Sequence, residues 1–471
     1  TLGSQIVPVV DEFDEGESAF YPIGDSIDAL AARLLLASRA ERSIDVQYYL
    51  IKNDVVGNVF ILSLLQAADR GVRVRLLLDD IFTKGYDSGM AALDSHPNFE
   101  IRIFNPFGRS GGRAVNAVTS FPRVNRRMHN KSFTIDNQIT LVGGRNIADE
   151  YFGAREDAKF GDLDVIGIGP VVQDVSDMFD TYWNHETALP VPAFAKMPDD
   201  PEGFLVGLRE RLEEARTAAA TGDYADAVRA RIVSFIEDDE DYVVAPYSLV
   251  YDSPDKGVRS TAAEASSITS GLGESLGTAT EKIFVISPYF VPTKNGVRIL
   301  SEMQASGVDV TIITNSLAAN NQFTVHGGYA PSRKPLLKAG VRIFEARPDA
   351  NVQGAQIVAA SGAKATLHTK AFVVDEREVF IGSFNFDPRS ANINTEMGVV
   401  IRSQELAQAY LDMIEKVLPT ETFEVFLNED GKLRWRAMEN GEEVIYEKEP
   451  KTTWGQRFMA GLMRIMPKSQ L

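Results

Sequence analysis

The chain has no cysteine in 471 residues. That one absence removes disulfides, thiolate metal sites and thiol nucleophiles, and leaves the redox compartment open. Tryptophan is scarce at three, and histidine at five. No run of about 18 predominantly apolar residues occurs, so no segment reads as a membrane-spanning helix. An excess of positive charge is also missing, since 66 acidic residues face 48 basic ones and the net charge is −18. That balance argues against a non-specific nucleic-acid binder, although a locally basic cleft stays possible. The first residue is Thr1 rather than a methionine, the mark of a processed or trimmed chain, so a signal or anchor is expected to be missing ahead of it.

What is present suffices for large cores. Hydrophobic residues make up 44% of the chain, a soluble globular composition, and the length suits two or three domains. The apolar pattern alternates strand and helix. Residues 43–50, 72–78 and 100–104 read as strands, with helical spacing from Gly57 to Arg70. The order returns at 282–290, 308–313 and 341–345, with a helix from Val297 to Ser306. The reading is an α/β fold of two similar domains, each a mainly parallel central sheet flanked by helices. The expected boundaries are 1–195 for the first domain and 196–250 for a charged helical connector with a solvated face. The second domain follows at 251–420, then a β-meander at 421–450 and an amphipathic tail at 451–471. Asp430-Gly431 and Asn440-Gly441 supply the tight turns of the meander.

Two of the five histidines share one context. His129-Asn-Lys131, Asp136 and Gly143-Gly-Arg-Asn146 have the spacing of His368-Thr-Lys370, Asp375 and Gly382-Ser-Phe-Asn385. A strand through 131–135 or 370–374 puts His and Lys, two apart, on one face. Small residues at the Gly pair let backbone approach a ligand, and each Asn offers amide donors there. A site holding two His, two Lys and two Asn suits a phosphoryl oxyanion. One imidazole attacks phosphorus while the other protonates the leaving oxygen. Alignment of the repeats offers Asp164 and Glu396 as the carboxylates that orient the histidines. A metal site is the rival reading, but paired lysines repel a divalent cation.

HNKSFTID with GGRN, and HTKAFVVD with GSFN, resemble the paired HKD motifs of the phospholipase D superfamily. The resemblance runs from about Ala19 to the C-terminus. It implies an active site at the pseudo-two-fold interface of the domains and a covalent phosphohistidine, with no metal and no cofactor. It makes His129 the nucleophile and His368 the acid/base. Lys131, Lys370, Asn146 and Asn385 then hold phosphate, while Asp136 and Asp375 brace the site. Further segments, among them SIDVQYYL, NRRMHNKSFTID, TNSLAANN and GSFNFDPRSANINTE, are similar to bacterial cardiolipin synthases, above all the C type. That similarity implies transfer of a phosphatidyl group, with phosphatidylethanolamine as the expected donor, onto phosphatidylglycerol. The alternatives are a hydrolytic phospholipase D that releases phosphatidic acid and, further off, a phosphodiesterase or nuclease of the same superfamily.

Several residues bear on a lipid substrate. Arg113, Arg123, Arg126 and Arg127 precede His129, and arginine engages anionic headgroups. His326, Tyr329, Arg333 and Lys334 form a second polar cluster beyond a strand end. In the tail, Trp454, Phe458, Met459, Leu462, Met463, Ile465 and Met466 occupy half a helical wheel, with Arg457 and Arg464 opposite. Such a helix suits a bilayer interface or packing on the protein itself; the first is the expectation, and it places the protein at the bacterial cell membrane, peripheral or anchored. No nucleic-acid partner is expected, and an accessory protein is left open.

Overall fold

The computed structural model describes residues 6, 10–83, 85–108, 125–155, 158–195, 197, 199–237, 241–258, 267–320, 322–349 and 364–464. The chain divides into two compact units. The first comprises Thr1–Ala154, Asp164–Ser267 and Ile393–Val399; the second comprises Arg155–Leu163, Ile268–Asn392 and Val400–Leu471. Each unit therefore contains a short segment cut from the other's stretch of sequence.

In the first unit, strands Ser43–Tyr48, Arg73–Asp79 and Phe99–Phe104 run parallel. Strand Ser132–Ile135 pairs antiparallel with Ser43–Tyr48 and continues through a tight turn into Ile139–Gly143. Asp164–Ile168, Glu17–Ile23 and Val243–Tyr251 extend the sheet antiparallel on that side. Ala188–Pro190 closes the other edge. In the second unit Lys282–Ile286, Asp309–Asn315 and Arg342–Ala346 are the parallel strands. Ala371–Val374 and Glu378–Gly382 repeat the antiparallel hairpin, beside Lys282–Ile286.

The fold is α/β and duplicated, with one correction. Within each central sheet the parallel part is three strands among the described residues, because the motif strands are joined by hairpins rather than by crossover helices. The domain boundaries also differ from expectation. Helices Pro201–Ala219 and Asp223–Glu237 pack on helices Val55–Asp69 and Ser26–Arg39 of the first unit, so the connector is no separate element. Leu212 and Val228 are buried there, which an entirely solvated helix would not allow. The meander is present as Thr422–Leu427, Leu433–Glu439 and Glu442–Tyr446. Its Asn440-Gly441 turn has positive φ at both residues, 52° and 85°. It extends the second sheet through Arg342–Ala346 rather than standing apart.

The tail forms helix Trp454–Met463, opened by a Thr453–Gln456 capping box. It lies against helix Phe323–Tyr329, where Gly327 permits the contact. A Cβ at Gly327 would stand 2.9 Å from the backbone carbon of Met463. Ala460 faces inward, while Trp454 is 71% exposed, Phe458 55% and Leu462 47%. Ile465 and Met466 lie outside the described residues.

Candidate active site

In the first unit the motif sits at the entrance to strand Ser132–Ile135. Asp136 and Asn137 turn the chain at φ 54° and 53°, in the left-handed region that Asp and Asn tolerate. The Asp136 carboxylate accepts from the backbone N–H of Glu41, Arg42 and Ser43 at 2.7–2.9 Å, clamping the hairpin to the start of the neighbouring strand. His129 is held by its backbone, since its N–H donates to the Thr395 carbonyl at 2.9 Å and the Thr395 N–H donates to Arg127 at 3.0 Å. That bridge brings Glu396 beside the imidazole, with Nδ1 of His129 2.7 Å from Oε2 of Glu396. Glu396 is fully buried. Its own backbone is fixed by Asp252, which both accepts from and donates to it at 3.0 Å. Lys256 anchors Asp252 in turn at 2.6 Å. The Lys131 ammonium, also buried, donates to the His129 carbonyl. The Tyr49 ring meets the imidazole edge-on at 5.0 Å.

The second unit repeats the plan with different parts. Asp375 and Glu376 turn the chain at φ 48° and 54°. Burial would raise the Asp375 pKa, but the backbone N–H groups of Lys282, Glu281 and Thr280 outweigh it and hold the carboxyl down to about 2. The N–H groups of His368 and Thr369 both donate to the Gly161 carbonyl, at 2.7 and 3.0 Å. Strand Ala158–Gly161 lies parallel to Lys364–Leu367 just ahead of the histidine. Asp162 follows, and its Oδ2 is 2.5 Å from Nδ1 of His368. The Phe160 ring stacks on the imidazole at 5.5 Å. The Lys370 ammonium lies 2.7 Å from Nδ1 and 3.2 Å from Nε2 of the same ring.

Each unit thus presents a buried histidine whose Nδ1 meets a carboxylate, with a buried lysine two residues on. A carboxylate on Nδ1 fixes the ring and leaves Nε2 as the atom for chemistry. Asn146 and Asn385 end the motifs. Asn146 donates to the Tyr151 hydroxyl at 2.9 Å. The side-chain oxygens of both asparagines are buried with no partner.

Two expectations are corrected. Asp164 does not orient a histidine. Its carboxylate lies between Arg33 at 2.8 Å and Arg145 at 3.2 Å, a buried charge cluster of the first unit. Asp162 takes the orienting place because the chain passes from the second unit to the first between Leu163 and Asp164. Glu396 does orient a histidine, but it is His129, 267 residues away. Four residues expected to contact headgroups, Arg127, His326, Tyr329 and Arg333, are buried. His326, Tyr329 and Arg333 are all but fully buried. Arg333 pairs with Glu345 at 3.1 Å and Glu449 at 2.6 Å, Tyr329 donates to Glu345, and His326 lies against Glu449. Most of their polar groups pair within this buried network, although Nδ1 of His326 has no partner in it. Arg127 is fully buried against Asp79 and the Phe107 ring, and half-buried Arg126 donates to the Lys256 carbonyl. Arg113 and Arg123 lie outside the described residues.

Sequence reasoning missed Asp162, Thr395, Asp252, Lys256 and Tyr49. Only the Asp252–Lys256 pair carried a local signal, its i,i+4 spacing. The others act through contacts distant in sequence.

Residues 35–183 and 272–418 match a family model described as a cardiolipin synthase, phospholipase D-like domain. Cardiolipin synthase C of Escherichia coli is 42% identical over 99% of this chain and 98% of its own length. A cardiolipin synthase of Staphylococcus aureus is 26% identical over 78% of this chain and 62% of its own. Among solved structures, phosphatidylserine synthase from Haemophilus influenzae covers 98% of this chain and 97% of its own, with a TM-score of 0.61 and 13% identity, a likeness of fold.

Proposed function

Because the chain belongs to the cardiolipin synthase family of phospholipase D-like enzymes, and is thereby a phospholipid phosphatidyltransferase, we propose that its product is cardiolipin. In this reading phosphatidylethanolamine gives the phosphatidyl group and phosphatidylglycerol receives it. Nε2 of His129 attacks phosphorus, the bond to the ethanolamine oxygen breaks, and His368 gives that oxygen its proton. The result is phosphatidyl-His129 and free ethanolamine. The glycerol headgroup hydroxyl of phosphatidylglycerol then returns a proton to His368 and attacks phosphorus. The phosphorus–nitrogen bond breaks and cardiolipin leaves.

The observation that carries the reading is the pairing of both histidines through Nδ1 with buried carboxylates, Glu396 and Asp162. A carboxylate on Nδ1 stabilises the imidazolium that forms on each ring in turn and fixes the direction of Nε2. Lys131, Lys370, Asn146 and Asn385 supply cations and amides for the phosphoryl oxygens. The tail helix adds a route to the substrate. Its exposed Trp454, Phe458 and Leu462 form an apolar face that suits a bilayer interface. Among the described residues no helix is long and apolar enough to cross a membrane, and we assign the protein to the membrane surface through this face.

The test is a lipid mass spectrum after incubation with vesicles of phosphatidylglycerol alone or mixed with phosphatidylethanolamine. Cardiolipin formed only from the mixture, with ethanolamine released, is the expected result. Cardiolipin from phosphatidylglycerol alone would change the donor. Phosphatidic acid in its place would make water the acceptor and the protein a hydrolase.

A further inference from the structure

The first unit holds a cavity of about 360 Å³ beside the His129 strand, a size typical of small-ligand sites. Leu76, Leu78, Met90, Leu93, Ile101 and Leu212 line its interior. The connector helix supplies one wall, with Phe204, Leu208 and Leu212 at i, i+4 and i+8 on a single face. Phe82, Tyr86 and Phe204 stand partly exposed at its rim, each between 36% and 46%.

Two walls are shared with the histidine. The Tyr49 ring lines the cavity, lies 5.0 Å from the His129 ring and 5.7 Å from the Lys131 ammonium, and meets Phe82 edge-on. Asp79 lines it too and accepts from the Met128 N–H at 2.9 Å, one residue before the histidine. A molecule whose phosphate rests at His129 and Lys131 therefore has an apolar chamber on the far side of one tyrosine ring.

We propose that this cavity takes one acyl chain of the phospholipid whose phosphate reacts at His129, and that it sets a preference for chain length. The proposal rests on the phosphatidyl-transfer reading and extends it to the apolar half of the substrate. An acyl chain is the occupant because it is an apolar group tethered to phosphate within reach of the motif. The volume admits part of one chain, so the second chain stays outside.

Gly89 makes the proposal testable. It lines the cavity from helix Asp87–Asp94, and a Cβ built there meets nothing within 4 Å. A larger side chain there adds bulk at the cavity lining without meeting backbone, and it favours the helix. The probe is a series of single-chain lysophosphatidylethanolamines, the donor class, below their critical micelle concentrations, titrated calorimetrically into the full chain. Each methylene moved into such a lining favours binding about fourfold, so affinity should climb with chain length and level off once the chamber is full. Gly89→Ala should keep that climb, Gly89→Leu should level off earlier, and Gly89→Phe should flatten it. In turnover, the ratio of kcat/KM for long-chain over short-chain diacyl substrate should fall at least tenfold in Gly89→Phe. Affinity independent of chain length in the unaltered protein overturns the cavity as an acyl site, whether or not the variants fold. So does a kcat/KM ratio within twofold of the original in a folded Gly89→Phe. If chain-length-dependent binding is present and lost in Gly89→Phe while no phosphatidyl transfer occurs, the acyl site stands and the transferase reading falls.

Discussion

At Asp162 and Asp164 one functional group meets two surroundings. Asp162 faces an imidazole, and Asp164 lies between two buried guanidinium groups. Asp162→Asn should cost roughly 10²–10⁴-fold in kcat, because an amide neither stabilises an imidazolium nor fixes the ring in the same tautomer. The melting temperature should stay close to that of the original protein. Asp164→Asn should do the reverse, since it strands Arg33 and Arg145 without an anion, a change worth about 3–5 kcal/mol of stability. Its kcat per folded molecule should change little. Kinetics and thermal melts on the pair check this, and exchanged phenotypes would return the orienting role to Asp164. Glu421 tests a different balance. Its carboxylate is buried with neither oxygen partnered, and burial pushes its pKa up to about 8. The folded state thus holds a proton that the unfolded chain releases near pH 4.5. Stability from this group is complete below that pH and is lost as pH rises through 8. Glu421→Gln should therefore stabilise the fold at pH 8.5 by on the order of a few kcal/mol, raising the melting temperature clearly, and hardly at pH 5. An equal effect at both pH values would contradict the raised pKa.

Among the elements, the tail helix is placed by a contact that its apolar stripe does not foreshadow. Its inward side is narrow, Ala460 over Gly327, so the aromatic side is left outside. Deleting the whole tail would remove that packing together with the exposed face and confuse the two. Trp454→Ser with Phe458→Ser and Leu462→Ser changes only the exposed face. If that face meets lipid, partitioning onto anionic vesicles should fall by roughly tenfold to a hundredfold, since each side chain is worth about 1.5–3 kcal/mol when fully buried and less at an interface. Circular dichroism should be unchanged. Vesicle cosedimentation decides it, and undiminished partitioning would remove the tail from the membrane. The element scale also shows what could be read in advance. The strands at 43–48, 73–79 and 99–104 announced themselves by apolar residues between helical stretches, and the motif hairpins by their residues. The connector did not, because its apolar stripe of Phe204, Leu208 and Leu212 is thin against many charges. His326, Tyr329 and Arg333 looked like surface chemistry because their partners, Glu345 and Glu449, come from other elements. Polarity in a sequence does not say whether a group is solvated or satisfied.

At the scale of the whole molecule, the carboxylates that complete the two histidine sites come from segments exchanged between the halves of the sequence. Glu396 lies 267 residues from His129, and Asp162 lies 206 from His368. A repeat read as two self-contained domains pairs each histidine with a carboxylate from its own half, which is why repeat alignment led to Asp164. The exchange also delays folding, because contacts of such separation form only after long loops close. The His129 site cannot be completed until residue 396 has been synthesised. If the chain is divided between Ser267 and Ile268 and both pieces are co-expressed, each carries a segment that belongs to the other's fold. Residues 158–161 pair with 364–367, and the His129 N–H pairs with the Thr395 carbonyl. The two pieces should then copurify in a one-to-one ratio through a tag on either. Retention should survive about 0.5 M salt, because backbone hydrogen bonds and buried ion pairs are screened far less than surface charges. Two folded monomers that separate on a sizing column would mean that neither half needs the other's segment. The exchange would then be dispensable to the fold, and the pairing of Glu396 with His129 would need another explanation.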